Sequence, residues 1–542
     1  MIHIKDPAQI NLFDLETSFL ANIAQKRLET SFYSVFRHVI LSLLPAQEIA
    51  NHSNPDNGRP TKELYSMAGL ILLKEFKNWT TTEATEATEA YLFDYRTQYA
   101  LNTGRDNISF CERTLERYMT IMRSDKLAIK IFDTVTTKLI EELDIEISSQ
   151  RLDSTHVFSD MATFARTKLM GVGIKRFLTQ LKRHHLTDYE KLDSEILDRY
   201  KKGENSLFAD HSKDKTKRSN LREEVAQQLY HIIILFNGHE KIENMDTYKQ
   251  LVTIFNQQCE IISPVDLTAE TAETAETAET AEKSEPLPPI DQAETQETNE
   301  TEPTESPIEK EATIAVKKKT GGDVIQNPSD PDATYDGHKG VGYQVQICET
   351  ADSENEVQLI TSIHAQTAVE SDAKALDIIL EKLEDQDLLP DELYADTLYG
   401  SDENHTSSSK KGIDLISPVS GPAPATVPEK PTQKQQRLGK RRAAQESKEW
   451  KTSYKIRAQV EGTIGSIKRL TGMVRLRYRG KESIFSSIEL KLSGWNISRA
   501  QASAKMQQKL AEIIKERRAL ALARAVLVFL LPHSPMSTRK AA

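Results

Sequence analysis

The stretch YKIRAQVEGTIGSIK, residues Tyr454 to Lys468, places a phenol, two cations and an acid at helical spacing. At about 100° per residue, Tyr454, Arg457, Glu461 and Lys468 fall within an arc of about 60° on one face. Ile456, Val460, Ile464 and Ile467 form an adjoining apolar stripe, the side a helix buries. A carboxylate between two cations suits a place where a metal ion and phosphates meet. The same spacing also describes an ordinary amphipathic helix with a solvated charged face, so the other elements must decide.

Two further acids stand where strands are predicted. Arg151-Leu152-Asp153-Ser154-Thr155-His156 is a short extended run that delivers Asp153 at its end. Leu393-Tyr394-Ala395 is a short strand that ends at Asp396. Between them, Gly342–Cys348 and Val357–Ile363 alternate as neighbouring strands. Ala373–Leu383 is an amphipathic helix, and Ile413–Val419 a last strand before the charged helix. Asp330, Asp332 and Asp336 compete for the role of Asp396. They lie in the turn-prone run NPSDPDATYD, whereas a strand precedes Asp396, which is therefore preferred. Hard carboxylate oxygens of this kind suit Mg2+ or Mn2+.

The spacing Tyr-x2-Arg-x3-Glu-x6-Lys is matched at all four positions. It resembles the signature around the last acid of bacterial insertion-sequence transposases of the DDE class. DSTHVFSDMATFARTKLMG, and NPSDPDATYDGHKG followed by GYQVQ, resemble the same group. The resemblance implies an α+β RNase H-like mixed sheet with flanking helices. It also implies two Mg2+ (or Mn2+) ions, with Asp153 bridging both and Asp396 and Glu461 each holding one. Arg457 and Lys468 would then clamp scissile or flanking phosphates, and Tyr454 would stack on, or bond to, the strand end. Because cations are not ligands, the metal affinity of the DNA-free site should not depend on Arg457 or Lys468. His156 reads as a structural histidine. The implied activity is cleavage at element ends and transfer of the 3′-OH into target DNA. The implied partners are terminal inverted repeats, target DNA and a second copy in a synaptic homodimer, in the bacterial cytoplasm at the nucleoid.

Around these motifs the chain reads as six segments. Residues 1–145 are a helical N-terminal domain, with a role in DNA-end binding implied by the resemblance. Residues 146–160 hold the first catalytic strand. Residues 161–262 are an all-helical insertion, in which Lys175, Arg176, Lys182 and Arg183 are candidates to lie on DNA. Residues 263–320 are an acidic linker, with a TAE array at Thr268–Glu282, too poor in apolar residues to fold. A shorter repeat, TTTEATEATEA, occupies Thr80–Ala90. Residues 321–495 complete the catalytic domain, and 496–542 form a basic helical tail.

The net charge of -11 over 542 residues conceals a division. Residues 260–312 hold 16 acids against 2 bases, and residues 430–542 hold 26 bases against 7 acids. The basic part is where a polyanion would bind. Within it, Val474 to Arg479 alternates, so that Arg475, Arg477 and Arg479 share one side. Three widely spaced cysteines without metal spacing read as reduced thiols of a cytosolic protein. No signal-peptide pattern is seen, and the run Ala519–Leu531 is too short to span a bilayer. A stand-alone RNase H-like nuclease accommodates the acids but leaves the N-terminal helices and basic C-terminal part unexplained. A catalytically inactive DNA-binding derivative would be expected to have lost some of the acids and signature cations, all of which are present.

Overall fold

The computed structural model describes residues 2–7, 20–80, 86–103, 110–201, 214–262, 313–421 and 431–530. The chain divides into two compact units, one made of residues 1–162 and 329–542, the other of residues 163–328.

The strands are β1 (Ser149–Phe158), β2 (Cys259–Ile262), β3 (Thr313–Val316), β4 (Thr334–Asp336), β5 (Gly340–Thr350), β6 (Ile360–Thr367), β7 (Glu392–Ala395) and β8 (Asp414–Ile416). In the first unit β1 is central. β5 lies antiparallel on one side of it, followed by β6, with β4 pairing the start of β5. β7 lies parallel on the other side of β1, followed by a parallel β8. The outcome is a mixed sheet in which three antiparallel strands lead into two parallel ones, consistent with the RNase H-like layout the sequence implied.

Both faces of this sheet are covered, so β1 is buried on both sides. Alternation sorts its residues. Leu152 packs with Leu376, Ile379, Leu380 and Leu383 of the amphipathic helix Asp372–Asp385. Val157, on the other face, joins a core shared with Leu64–Lys77 (α1) and Leu127–Leu143 (α2). The same core takes in Gln459–Thr471 (α3) and Lys481–Gln501 (α4). The N-terminal helices α1 and α2 thus share one core with the sheet. A buried polar knot ties α1 to α4. Lys491 donates to the carbonyls of Glu75 and Thr471, and Ser487 donates to the Glu75 carboxylate at 2.6 Å.

The acids of the turn-prone loop serve this packing. Asp330 is fully buried and accepts from Ser159 Oγ at 2.6 Å, Tyr343 Oη at 2.7 Å and the Gly480 N–H at 2.9 Å. Asp332 accepts from the Lys481 N–H at 2.9 Å. Together they satisfy orphan donors at the N-terminus of α4. Asp336 accepts from the N–H groups of His338 and Lys339 in the β4–β5 turn.

The second unit is a helical block with its own core. Phe177, Leu178 and Leu181 of Arg166–His184 pack with Leu229 and Ile232 of Lys215–Phe236 and with Leu251 and Ile254 of Asp246–Gln258. It is not all helix, since β2 and β3 pair antiparallel in it, Cys259 opposite Val316. Thr313–Val316, assigned from composition to the acidic linker, is therefore a strand. Four β-branched and small residues give too short a signal until their partner is known. The TAE array and the acidic tract through residue 312 lie outside the described residues, as do residues 81–85 of the shorter repeat. Glu86 to Ala90 of that repeat are part of the helix Glu86–Phe93.

Replacing Asp330 by alanine leaves two buried hydroxyl donors, of Ser159 and Tyr343, and the half-buried Gly480 N–H without their acceptor, each buried one costing about 1–3 kcal/mol. Urea unfolding of Asp330→Ala should show a loss of at least about 2 kcal/mol. A loss below about 1 kcal/mol would mean that the loop does not anchor α4.

Candidate functional site

Asp153 and Asp396 are brought together by strand pairing. The parallel register of β1 and β7 ends at Leu152 opposite Ala395. Asp153 and Asp396 are the next residue on each chain, so both carboxylates leave the sheet at the point where the parallel pairing stops. Asp153 is not at the end of its strand, as the sequence suggested. β1 runs on to Phe158 against β5, and it is β7 that ends. Asp396 starts the short 3-10 turn Thr397–Tyr399 and accepts the Leu398 N–H at 2.5 Å, which orients its carboxylate.

The third acid comes from α3, and the helix is not uniform. Tyr454–Ala458 is a 3-10 turn and the α-helix begins at Gln459. The tighter turn nearly eclipses Tyr454 and Arg457. Val460, Ile464 and Ile467 are buried as the apolar stripe required, while Ile456 is only half-buried. The Tyr454 hydroxyl donates to the Ala395 carbonyl at 3.2 Å, one residue before Asp396, and its ring stacks on Trp450 at 4.7 Å.

Arg457 stands among all three acids. Its guanidinium lies 3.0 Å from Asp153, 3.9 Å from Asp396 and 2.6 Å from Glu461. The Asp153 side chain is 11% exposed and that of Glu461 61%, so the cluster grades from interior to solvent. Burial raises the pKa of Asp153, Arg457 lowers it, and neighbouring Asp396 raises it again. Burial works against the charge on Arg457, but Asp153, Tyr454 and Glu461 hold its pKa above the usual guanidinium value.

Among the described residues no three of His, Cys, Asp and Glu form a ready-made metal-ligand group. The donor set nevertheless fits a divalent ion in its chemistry. It comprises three hard carboxylates against one guanidinium, a formal surplus of two negative charges. Asp330, the competing acid, is committed to Ser159, Tyr343 and Gly480.

The other predicted residues are spread more widely. Lys468 is half-buried two turns beyond Glu461, its pKa lowered by burial and then by Lys339. Arg475, Arg477 and Arg479 are exposed while Leu476 is buried, so the alternation holds. The segment is irregular rather than a strand, and its single bridge pairs Arg475 with Phe158. It is committed to the linker between α3 and α4, where Tyr478 reaches the Glu75–Lys74 pair. His156 lies on the sheet face opposite Asp153, its ring edge-on to Phe158 at 4.7 Å.

Arg151 and Glu349 were not singled out from the sequence. They are opposite each other across β1 and β5 and form a buried ion pair at 2.6 Å. Arg151 also donates to Gln459 at 2.7 Å, and Thr463 donates to Glu349 at 3.0 Å. Gln459 and Thr463 flank Glu461 by two residues on either side, so this pair fixes the helix that carries the third acid. An arginine two residues before Asp153, on the same strand face, was the available signal.

Removing Glu349 leaves Arg151 buried without its counter-charge, a change that costs about 3–5 kcal/mol. Urea unfolding of Glu349→Ala should show that loss, whereas a change under about 1 kcal/mol would contradict the bracing role.

Residues 312–497 match the family model described as Transposase DDE domain. The matched segment spans about a third of the chain and includes Asp396, Arg457 and Glu461, with Asp153 outside it. This supports a DDE transposase domain. No curated protein and no solved structure matches the chain.

Proposed function

We propose that this chain is a metal-dependent DNA transposase, cutting strands at element ends and joining the freed 3′-OH to target DNA. The observation that carries the reading is the meeting of Asp153, Asp396 and Glu461, from three separated segments, at one guanidinium. The three acids are the proposed ligands of two Mg2+ or Mn2+ ions. When bound, such ions would activate the attacking oxygen and stabilise the leaving oxygen. The protein's own part is positioning. Asp153 presents a carboxylate from the interior, Asp396 one oriented by a backbone N–H, and Glu461 one free to adjust at the surface. Lys468, beyond Glu461 on the same helix, is a cation for a flanking phosphate.

The rest of the proposed DNA contact is basic surface. The helix Gln433–Gln445 carries Lys434, Arg437, Lys440, Arg441 and Arg442 and has no buried residue. Lys434 is paired to Glu403, and Arg437 and Arg441 share Asp402, which leaves a net positive face. Arg475, Arg477 and Arg479 are exposed beyond the site. Such side chains bind phosphates without reading sequence. A homodimer holding two ends together is the assembly this chemistry calls for. Among the described residues no helix is long and apolar enough to cross a membrane.

The test is strand cleavage of a labelled duplex carrying the inverted repeat that flanks the gene. Asp153→Asn, Asp396→Asn and Glu461→Gln should each lower cleavage in Mg2+ by at least about a thousandfold, while gel-shift affinity measured in EDTA, without divalent ions, changes less than about threefold. Each removes a ligand charge and little surface. Full cleavage by any of the three would remove that residue from the site.

A further inference from the structure

Arg457 is placed to do more than hold a phosphate. One guanidinium serves three carboxylates at 3.0, 3.9 and 2.6 Å. No acid receives the paired, parallel hydrogen bonds that lock an arginine onto a carboxylate. Glu461 is reached through one terminal nitrogen, Asp153 and Asp396 through the other, and Nε is buried without a hydrogen-bond partner. The contact is broad but geometrically loose. A divalent ion seeking the same oxygens has to displace this guanidinium. The backbone beneath it need not move, because Tyr454 is tied to Ala395 and Val460 is buried.

We propose that Arg457 is an internal competitor for the metal ligands, and that a DNA phosphate couples metal binding to DNA binding by drawing its guanidinium off the acids. The inference rests on the functional reading above and adds a switch to it. A phosphate offers the fork-shaped guanidinium a two-point contact that the three acids do not. Once Arg457 turns to it, the acids lose their counter-ion and their affinity for divalent cations rises. By linkage the effect is reciprocal, so metal binding must strengthen DNA binding by the same factor. The DNA-free site would thus be held partly closed to metal. This reverses the sequence-based expectation that Arg457 leaves metal affinity unchanged.

The experiment is titration of Mn2+ against the full chain, read from the resonance of free Mn2+, with and without the element-end duplex. Wild type, Arg457→Gln, Arg457→Lys and Asp153→Asn are compared. Without DNA, Arg457→Gln should bind Mn2+ about tenfold more tightly than wild type, a coupling in the usual range for linked sites. Arg457→Lys, which keeps the charge but loses the fork, should fall between them. DNA should tighten Mn2+ binding to wild type by a similar factor and to Arg457→Gln by less than about twofold. Equal Mn2+ affinities of wild type and Arg457→Gln without DNA, with Asp153→Asn weakened, overturn the competitor role and leave the functional reading standing. So does a wild-type affinity that DNA does not change. Undiminished binding by Asp153→Asn shows that the acids are not the metal site and overturns both.

Discussion

Three carboxylates brought to one corner of a protein repel one another, and a positive charge has to stand among them. Here that charge is the guanidinium of Arg457, within ion-pair reach of Asp153, Asp396 and Glu461 at once. Burial of Asp153 makes the requirement stronger, because a partly dry carboxylate loses hydration that only a nearby cation replaces. The cluster remains formally two charges short of neutrality. That surplus is the ground on which the three acids are proposed as ligands of divalent cations.

The sheet makes the convergence possible. A parallel pair of strands that stops at Leu152 and Ala395 leaves two acids side by side at its edge. An open α/β sheet binds its ligands in such a crevice, at the carboxyl ends of parallel strands. The third acid comes from a helix whose register is fixed from below, where Arg151 and Glu349 hold Gln459 and Thr463. Beyond the helix, Asp330 and Asp332 secure the start of α4 and Lys491 ties it to Glu75. The apolar core and these polar anchors hold the elements that carry the acids in place.

Much of this was legible because it is local. The i, i+4 relation of Arg457 and Glu461 follows from helix geometry, and Asp396 declares itself by following a short apolar strand. The three-strand, helix, two-strand order could be read from alternation. What was not legible depended on pairing. The Arg151–Glu349 contact exists only once β1 and β5 are in register, 198 residues apart in the chain. The strand Thr313–Val316 is too short to signal itself without Cys259–Ile262 beside it. The 3-10 turn at Tyr454–Ala458 arises where the Tyr454 hydroxyl reaches back to Ala395, a tertiary contact that helical periodicity does not foresee.

The central claim is that three segments far apart in sequence supply the ligands of one divalent-metal centre, and metal-directed scission of the chain tests it directly. With Fe2+ in place of Mg2+, and ascorbate and peroxide added, hydroxyl radicals cut the backbone close to where the ion sits. The account predicts three clusters of cuts, near Asp153, Asp396 and Glu461, all lost in Asp153→Asn. Cuts elsewhere, or a pattern that Asp153→Asn leaves unchanged, would contradict it.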